Sequence, residues 1–166
     1  MWYVIWTTTG KEEQCRQQIL KSCDGATYKR CVIPMIQRRR RENGAWVLKT
    51  ERFAPSYLFV ESQTIEDFAR ELSRIVGFKK LLQNDNLFLP LHEREEELLS
   101  KLLGDGEVIA ESVGVKVGQS VVITDGPMQG MEGMIKYIDR HKRMAVIEMD
   151  LFGRVLEMKL GLEVVK

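Results

Sequence analysis

The sequence predicts an α+β protein in two parts. An α/β sandwich with a mostly antiparallel sheet is expected over residues 1–104, a linker over 105–114, and a small five-stranded β-barrel over 115–166. Three observations carry this. Up to residue 103, runs with strand period alternate with amphipathic helical stretches. Gly104-Asp105-Gly106 then changes the texture, and no helical pattern follows. From Val115 onward, short β runs are punctuated by glycine: Val121–Thr124, Gly133–Ile138, Met144–Met149, Arg154–Leu160 and Leu162–Val165. Five such strands are too few for a sandwich and suit a closed barrel, which has no exposed edge.

Residues 2–8 are rich in Trp, Tyr, Val, Ile and Thr and predict a strand that Gly10 breaks. Lys11 to Cys23 predicts a helix, with Glu12 and Glu13 favourable to the dipole of its first turn. Cys15, Ile19 and Cys23, with Leu20 beside them, give it a narrow apolar stripe, and Asp24-Gly25 stops it. Thr27 to Arg41 predicts one strand with Val32 and Ile33 buried. Asn43-Gly44 signals a hairpin, because both central residues of a type I′ turn need positive φ, and Ala45 to Phe53 returns.

Residues 56–61 predict the next strand. Thr64-Ile65-Glu66-Asp67 is a capping signature for a second helix that runs on Ile65, Phe68, Ala69, Leu72, Ile75 and Val76 until Gly77. Phe78 to Leu82 and Leu87 to Leu89 are short strand candidates around the turn 83–86. Pro90 then opens a third helix with Leu91, Leu98, Leu99, Leu102 and Leu103 apolar. Residues 107–114 have no strong periodicity and suit a connection.

Hydrophobic content of 44% and charged content of 30% are ordinary for a globular protein. No apolar run approaches the ~20 residues that span a bilayer, and the N-terminus has no signal-peptide layout. Cys15, Cys23 and Cys31 lack metal-ligand spacing, so neither zinc nor a disulfide scaffold is expected, and a reducing cytoplasm is the simplest setting. There is no Walker loop, zinc signature or recognisable nucleophile constellation, and Glu95, Glu96 and Glu97 are consecutive on a helix and cannot converge. No catalysis and no cofactor are expected.

The net charge is +1, unevenly placed: residues 1–103 carry net +3 and residues 104–166 net −2. Two basic clusters stand out. Arg38, Arg39, Arg40 and Arg41 sit near a predicted hairpin tip. They are either a solvated end that discourages edge pairing or a contact for nucleic-acid phosphates. Lys136, Arg140, His141, Lys142 and Arg143 gather in an acidic unit, with Asp139 the only acid among them, and suit the backbone of a folded RNA hairpin. A third feature is Pro55-Ser56-Tyr57-Leu58-Phe59-Val60. Strand alternation puts Tyr57 and Phe59 on one face and Leu58 and Val60 on the other. The aromatic pair is covered either by the chain itself or by a partner.

Val117-Gly118-Gln119-Ser120 through Asp125-Gly126-Pro127, then Gly130, Gly133 and Leu151-Phe152-Gly153-Arg154, resembles the KOW motif of SH3-like barrels. In that motif Gly133 would occupy a tight turn. Trp2-Tyr3, the strand from Pro55 to Val60, and Arg74-Ile75-Val76-Gly77-Phe78 resemble the N-terminal domain of the NusG transcription elongation factors. The likeness covers nearly the whole chain. Met128 after Asp-Gly-Pro and the basic turn 139–143 make it look more like a specialised antiterminator branch (LoaP-like, with RfaH and polysaccharide-locus paralogues as relatives) than the housekeeping factor.

The resemblance implies a monomeric cytoplasmic regulator that binds the clamp coiled coil of the largest RNA polymerase subunit. Tyr57 and Phe59 would meet it, with Trp2 and Tyr3 nearby. Lys11, Arg16 and Arg74 would touch upstream or non-template DNA, and Met131 and Phe152 would map to a contact with ribosomal protein S10. The isolated region 107–166 is expected to read a structured leader RNA. The competing readings are a housekeeping elongation factor and a ribosome-associated RNA-binding protein, and the latter has no use for Tyr57 and Phe59.

Overall fold

The computed structural model describes residues 1–75, 79–81, 83–84 and 87–165. In chain order the first elements are β1 (Trp2–Thr7), α1 (Glu12–Ser22), β2 (Arg30–Val32), β3 (Met35–Glu42), β4 (Ala45–Arg52), β5 (Tyr57–Glu61) and α2 (Ile65–Ser73). Then come β6 (Lys79–Leu81), β7 (Gln83–Asn84), β8 (Leu87–Phe88), α3 (Glu93–Leu103), β9 (Val108–Ile109), β10 (Ser112–Val117) and β11 (Ser120–Asp125). A 3-10 turn (Glu132–Met134), β12 (Tyr137–Asp139), β13 (Met144–Leu151) and β14 (Arg154–Val165) complete the chain.

Pro34 decides the first departure from expectation. The predicted strand 27–41 is two strands, β2 and β3, interrupted at Ile33-Pro34. Proline has no N–H to donate to a ladder, so pairing cannot run through it. β2 pairs with β5, whereas β3 joins a different sheet. The chain divides at this point into two units, residues 1–34 with 54–96 and residues 35–53 with 97–166.

The first unit is organised on a four-stranded sheet of order β2-β5-β1-β6, antiparallel throughout. Val4 and Val32 flank Phe59, and Trp6 lies opposite Tyr57. Ile5, Leu58, Phe59 and Val60 are fully buried, each worth roughly 1.5–3 kcal/mol of transfer free energy. Helix α1 buries Cys15 and Ile19 as predicted, with Cys23 just past its end, but Leu20 falls off the stripe and is exposed.

One tether in this unit has no clear sequence signal. The Glu12 carboxylate is buried and accepts the Gly10 N–H at 2.9 Å and the Ser56 N–H at 3.1 Å. Ser56 has φ of +78°, at the third position of the turn Ala54–Tyr57 closed by the Tyr57 N–H on the Ala54 carbonyl. That position of a type II turn needs positive φ, which a non-glycine residue adopts at a cost.

Helix α2 starts at Ile65 as expected, but the Thr64 hydroxyl makes no cap bond. It lies instead 3.4 Å from the Thr27 carbonyl, while the Thr64 N–H donates to Ser62 Oγ. The helix ends at Ser73, tightened by bonds from Arg74 to Glu71 and from Ile75 to Leu72. The expected continuation through Val76, the stop at Gly77, and Phe78, Leu82, Asp85 and Asn86 lie outside the described residues. Helix α3 starts at Glu93, and Pro90 bridges Tyr3 instead of opening it.

The second unit holds a three-stranded sheet, β4-β3-β9, and a five-stranded sheet, β11-β10-β14-β13-β12. The expected connection around 107–114 contains β9, parallel to β3, and the first half of β10, parallel to β14. The two expected strands at 154–160 and 162–165 are one, because Gly161 pairs with Met144 inside a continuous ladder. The strand count is five all the same. Gly161 has a packing reason: a Cβ there would sit 2.6 Å from the Gln37 carbonyl oxygen on β3.

The chain turns tightly at Gly133 as expected, but the turn does not require glycine there. Gly133 lies in the 3-10 turn, its φ is not positive, and a Cβ would meet nothing within 4 Å. Gly126 is the glycine that is required, with φ of +100° and Ser112 Cα 2.6 Å from where a Cβ would stand. Met128, Met131, Met144, Met149 and Met158 are all buried in this unit.

Candidate nucleic-acid interface

The β3–β4 hairpin turns at Asn43 (φ 49°) and Gly44 (φ 80°), as the type I′ signal predicts. Along β3 the four arginines alternate between faces. Arg38 and Arg40 share one. The Arg40 fork holds Glu51 with Nε at 3.2 Å and Nη2 at 2.7 Å. Arg38 is only 7% exposed, with Nη1 2.8 Å from the Met144 sulfur and Nε 3.4 Å from Glu51 Oε1. The hydrogen bonds from Arg40 are the main reason the Glu51 carboxyl titrates below its ordinary range, and the charge and hydrogen bond of Arg38 add to it.

On the other face Arg39 donates to Glu111 at 3.1 Å. Arg41 lies over the Trp46 ring, 5.7 Å from its centroid, as their direct opposition in the ladder allows. The Arg143 guanidinium lies over the same ring at 4.4 Å. The four arginines are therefore not a free cationic tip. Their acids, Glu51 and Glu111, come from later in the chain, where local charge counting does not look for them.

A groove of about 540 Å³ runs between the hairpin and the five-stranded sheet. Arg38 to Arg41, Trp46, His141, Lys142 and Lys159 line it, and Glu42 is the acid among its described lining residues. Arg40, Arg41, His141, Lys142 and Lys159 are exposed. Trp46 and Lys159 belong to this surface, and no local sequence signal marks them. Strand period would put Trp46 across from an arginine, but which arginine depends on the register.

The second basic cluster is divided. Lys136 pairs with Glu148, Arg143 is engaged with Trp46, and the Lys142 N–H donates to Asp139 Oδ1 at 3.0 Å. Arg140 and His141 are exposed. Of the residues expected at DNA, Lys11 is exposed at the start of α1 and Arg74 is exposed at the end of α2. Arg16 is forked onto Glu13, its Nη2 2.6 Å from Oε2.

The aromatic set needs correction. Phe59 is 0% exposed, and Trp2 and Tyr3 are buried as well. Phe59 sits at the centre of the four-stranded sheet between Val4 and Val32, and the Trp2 ring carries the Arg30 guanidinium at 5.3 Å. Burial raises the Tyr3 hydroxyl above its usual range, and the charges of Glu66 and Glu96 add to this. Tyr57 is half-buried, and its exposed neighbour is Trp6, at 45%. Pairing of β1 with β5, invisible in the sequence, makes those two the accessible aromatic pair. Met131, expected on the surface, is 2% exposed, while Phe152 is half-buried at φ of +54°.

No described residues form a group of three or more side chains suited to hold a metal ion. No described helix is long and apolar enough to cross a membrane. The groove thus gathers exposed cations around one indole ring that two guanidinium groups face.

Comparison with known proteins places the chain. Residues 1–100 match the family described as Transcription termination factor nusG, and residues 117–155 match the KOW motif. The chain belongs to the NusG family. It is 23% identical to the transcription termination/antitermination protein NusG of Rickettsia typhi, over 99% of this chain and 88% of that protein. It is 24% identical to the protein of the same name from Bacillus subtilis, over 96% and 93%. The solved structure described as "Domain interaction in Thermotoga maritima NusG" shares its fold, with a TM-score of 0.52, 23% identity and coverage of 96% and 92%. The fold is thus NusG-like α+β, with an N-terminal domain and a β-rich KOW domain built on the five-stranded sheet.

Proposed function

We propose that this protein is a non-catalytic transcription elongation and antitermination factor that holds RNA polymerase through its N-terminal domain and a structured leader RNA through the basic groove. The observation that carries the RNA contact is the groove itself. It gathers exposed Arg40, Arg41, His141, Lys142 and Lys159 around Trp46, in a chain whose net charge is only +1. Such a local excess of cations over acids is what phosphate contact requires. The C-terminal sheet is read as an SH3-like barrel and the N-terminal domain as an α/β sandwich. Trp6 and Tyr57 are the surface offered to the polymerase clamp. Lys11 and Arg74 suit nearby DNA, and Phe152 is the residue of the expected S10 pair that has exposed surface.

A housekeeping role is the second reading. It is favoured by alignment over nearly the whole chain to proteins named for both termination and antitermination. One experiment separates the two. A leader-type RNA hairpin is titrated into the full chain at several salt concentrations, and co-purification with RNA polymerase is measured in parallel. The specialised reading expects polymerase capture together with steeply salt-dependent hairpin binding, the slope falling by about one for each phosphate contact removed by Arg41→Gln, Lys142→Gln or Lys159→Gln. Polymerase capture without hairpin affinity leaves the housekeeping reading.

A further inference from the structure

We propose that Trp46 is a stacking site for one unpaired nucleobase, so that the groove takes RNA in which an unstacked base adjoins a paired helix. This rests on the RNA-binding reading above and adds to it the part of the RNA that is read.

The Trp46 ring lines the groove and already carries flat cations, Arg143 at 4.4 Å and Arg41 at 5.7 Å from its centroid. A guanidinium and a base are both planar groups that lie on an indole face, so a base can take the place of an arginine there. The displaced arginine remains beside the ring as a partner for the phosphate of the same nucleotide. Arg143 has φ of +51°, a left-handed conformation that is costly for a residue with a Cβ, in the turn that sets its guanidinium over Trp46. Glycine would occupy that turn at no such cost, but it would leave the ring without this cation.

Around the ring, Lys142 and Lys159 supply exposed ammonium groups for the phosphates of the adjoining helix. The site draws on both parts of the unit: Arg41 and Trp46 come from the hairpin, His141 and Lys142 from the turn between β12 and β13, and Lys159 from β14. A fragment starting at residue 107 lacks the stacking ring.

The test uses the full chain and a ten-pair RNA duplex, either blunt or carrying a four-uridine 3′ overhang, with a deoxythymidine overhang as a third arm. The overhang is expected to tighten binding about fivefold or more, the scale of one base stacked on an aromatic ring. Trp46→Ala should abolish that advantage, while Trp46→Phe should retain most of it. Equal tightening by the DNA overhang makes the site indifferent to the sugar; a smaller effect makes it RNA-selective. Either result keeps the base site. If Trp46→Ala and Trp46→Phe both fold and keep the overhang advantage, or weaken blunt and overhung duplexes alike, Trp46 only ties the hairpin to the sheet and the inference fails. If blunt duplex binds without any overhang advantage, this inference fails and the RNA-binding reading stands; if no RNA binds, both fail.

Discussion

Strands β3 and β5 have the same two-residue period and opposite content, and their accessible surfaces invert what content alone suggests. Arg38–Arg41 is all charge, yet Arg38 is buried and Arg39 and Arg40 are held by carboxylates. Tyr57–Val60 is all apolar, and of its aromatic pair Phe59 is enclosed while Tyr57 keeps part of its surface. In both strands adjacent residues of like chemistry have different roles, because alternation sends them to different neighbours. A cluster in sequence is therefore not a cluster in space.

The largest effect that would break this comparison lies in β5. Phe59→Ala should cost about 3–5 kcal/mol of stability, whereas Tyr57→Ala should cost little and weaken polymerase binding. Chemical denaturation of the two variants, with polymerase affinity of the folded one, checks the contrast. Equal stability losses would mean that the two rings are enclosed alike.

Within β3 the same contrast should appear at smaller scale. Arg38→Gln should destabilise by about 1–3 kcal/mol, since it removes a buried donor and leaves Glu51 with less countercharge. Arg41→Gln should barely move the thermal midpoint and should instead flatten the salt dependence of RNA binding. A stable Arg38→Gln variant with a flattened slope would reverse the assignment.

The Arg40–Glu51 pair gives a pH signature. The folded carboxyl titrates below its unfolded value, so its contribution is complete above the ordinary glutamate pKa of about 4.3 and is lost as pH falls through the lower, folded value. Glu51→Gln should remove that part of the acid dependence, read from thermal midpoints between neutral and strongly acidic buffer. An unchanged profile would show that the pair adds nothing to hairpin stability.

The smallest expected effect is a gain. Ser56→Gly should relieve the positive φ and raise stability by up to about 1 kcal/mol, offset in part by the greater freedom of glycine when unfolded. A loss would mean that the Ser56 hydroxyl, bonded to Thr9, matters more than the turn geometry.

Local signals carried most of the fold. The Asn43-Gly44 turn, both ends of α1 and the strand content of the C-terminal unit follow from residue chemistry within a few positions. What escaped depends on distant pairing. The first half of β10 reads as a connection because Ser112-Val113-Gly114 looks weak alone and becomes a strand only beside β14. Gly161 looked like a break, although its missing side chain is what lets β14 pass close to Gln37. The candidate site was half legible for the same reason: its cations are dense in the sequence, but Glu51, Glu111 and Trp46 reach them through register.

The methionines buried in the C-terminal unit bear on its chemical endurance. Thioether side chains are unbranched and adapt to irregular gaps, so this core should accept Leu for Met at several positions with losses under about 1.5 kcal/mol. Burial shields these five from oxidants, which reach the half-buried Met35 and Met134 of the same unit first. A sulfoxide at a core position would turn an apolar filler polar, and at Met144 it would also disturb the contact its sulfur makes with Arg38, so oxidation that reaches the core should show as loosened packing there.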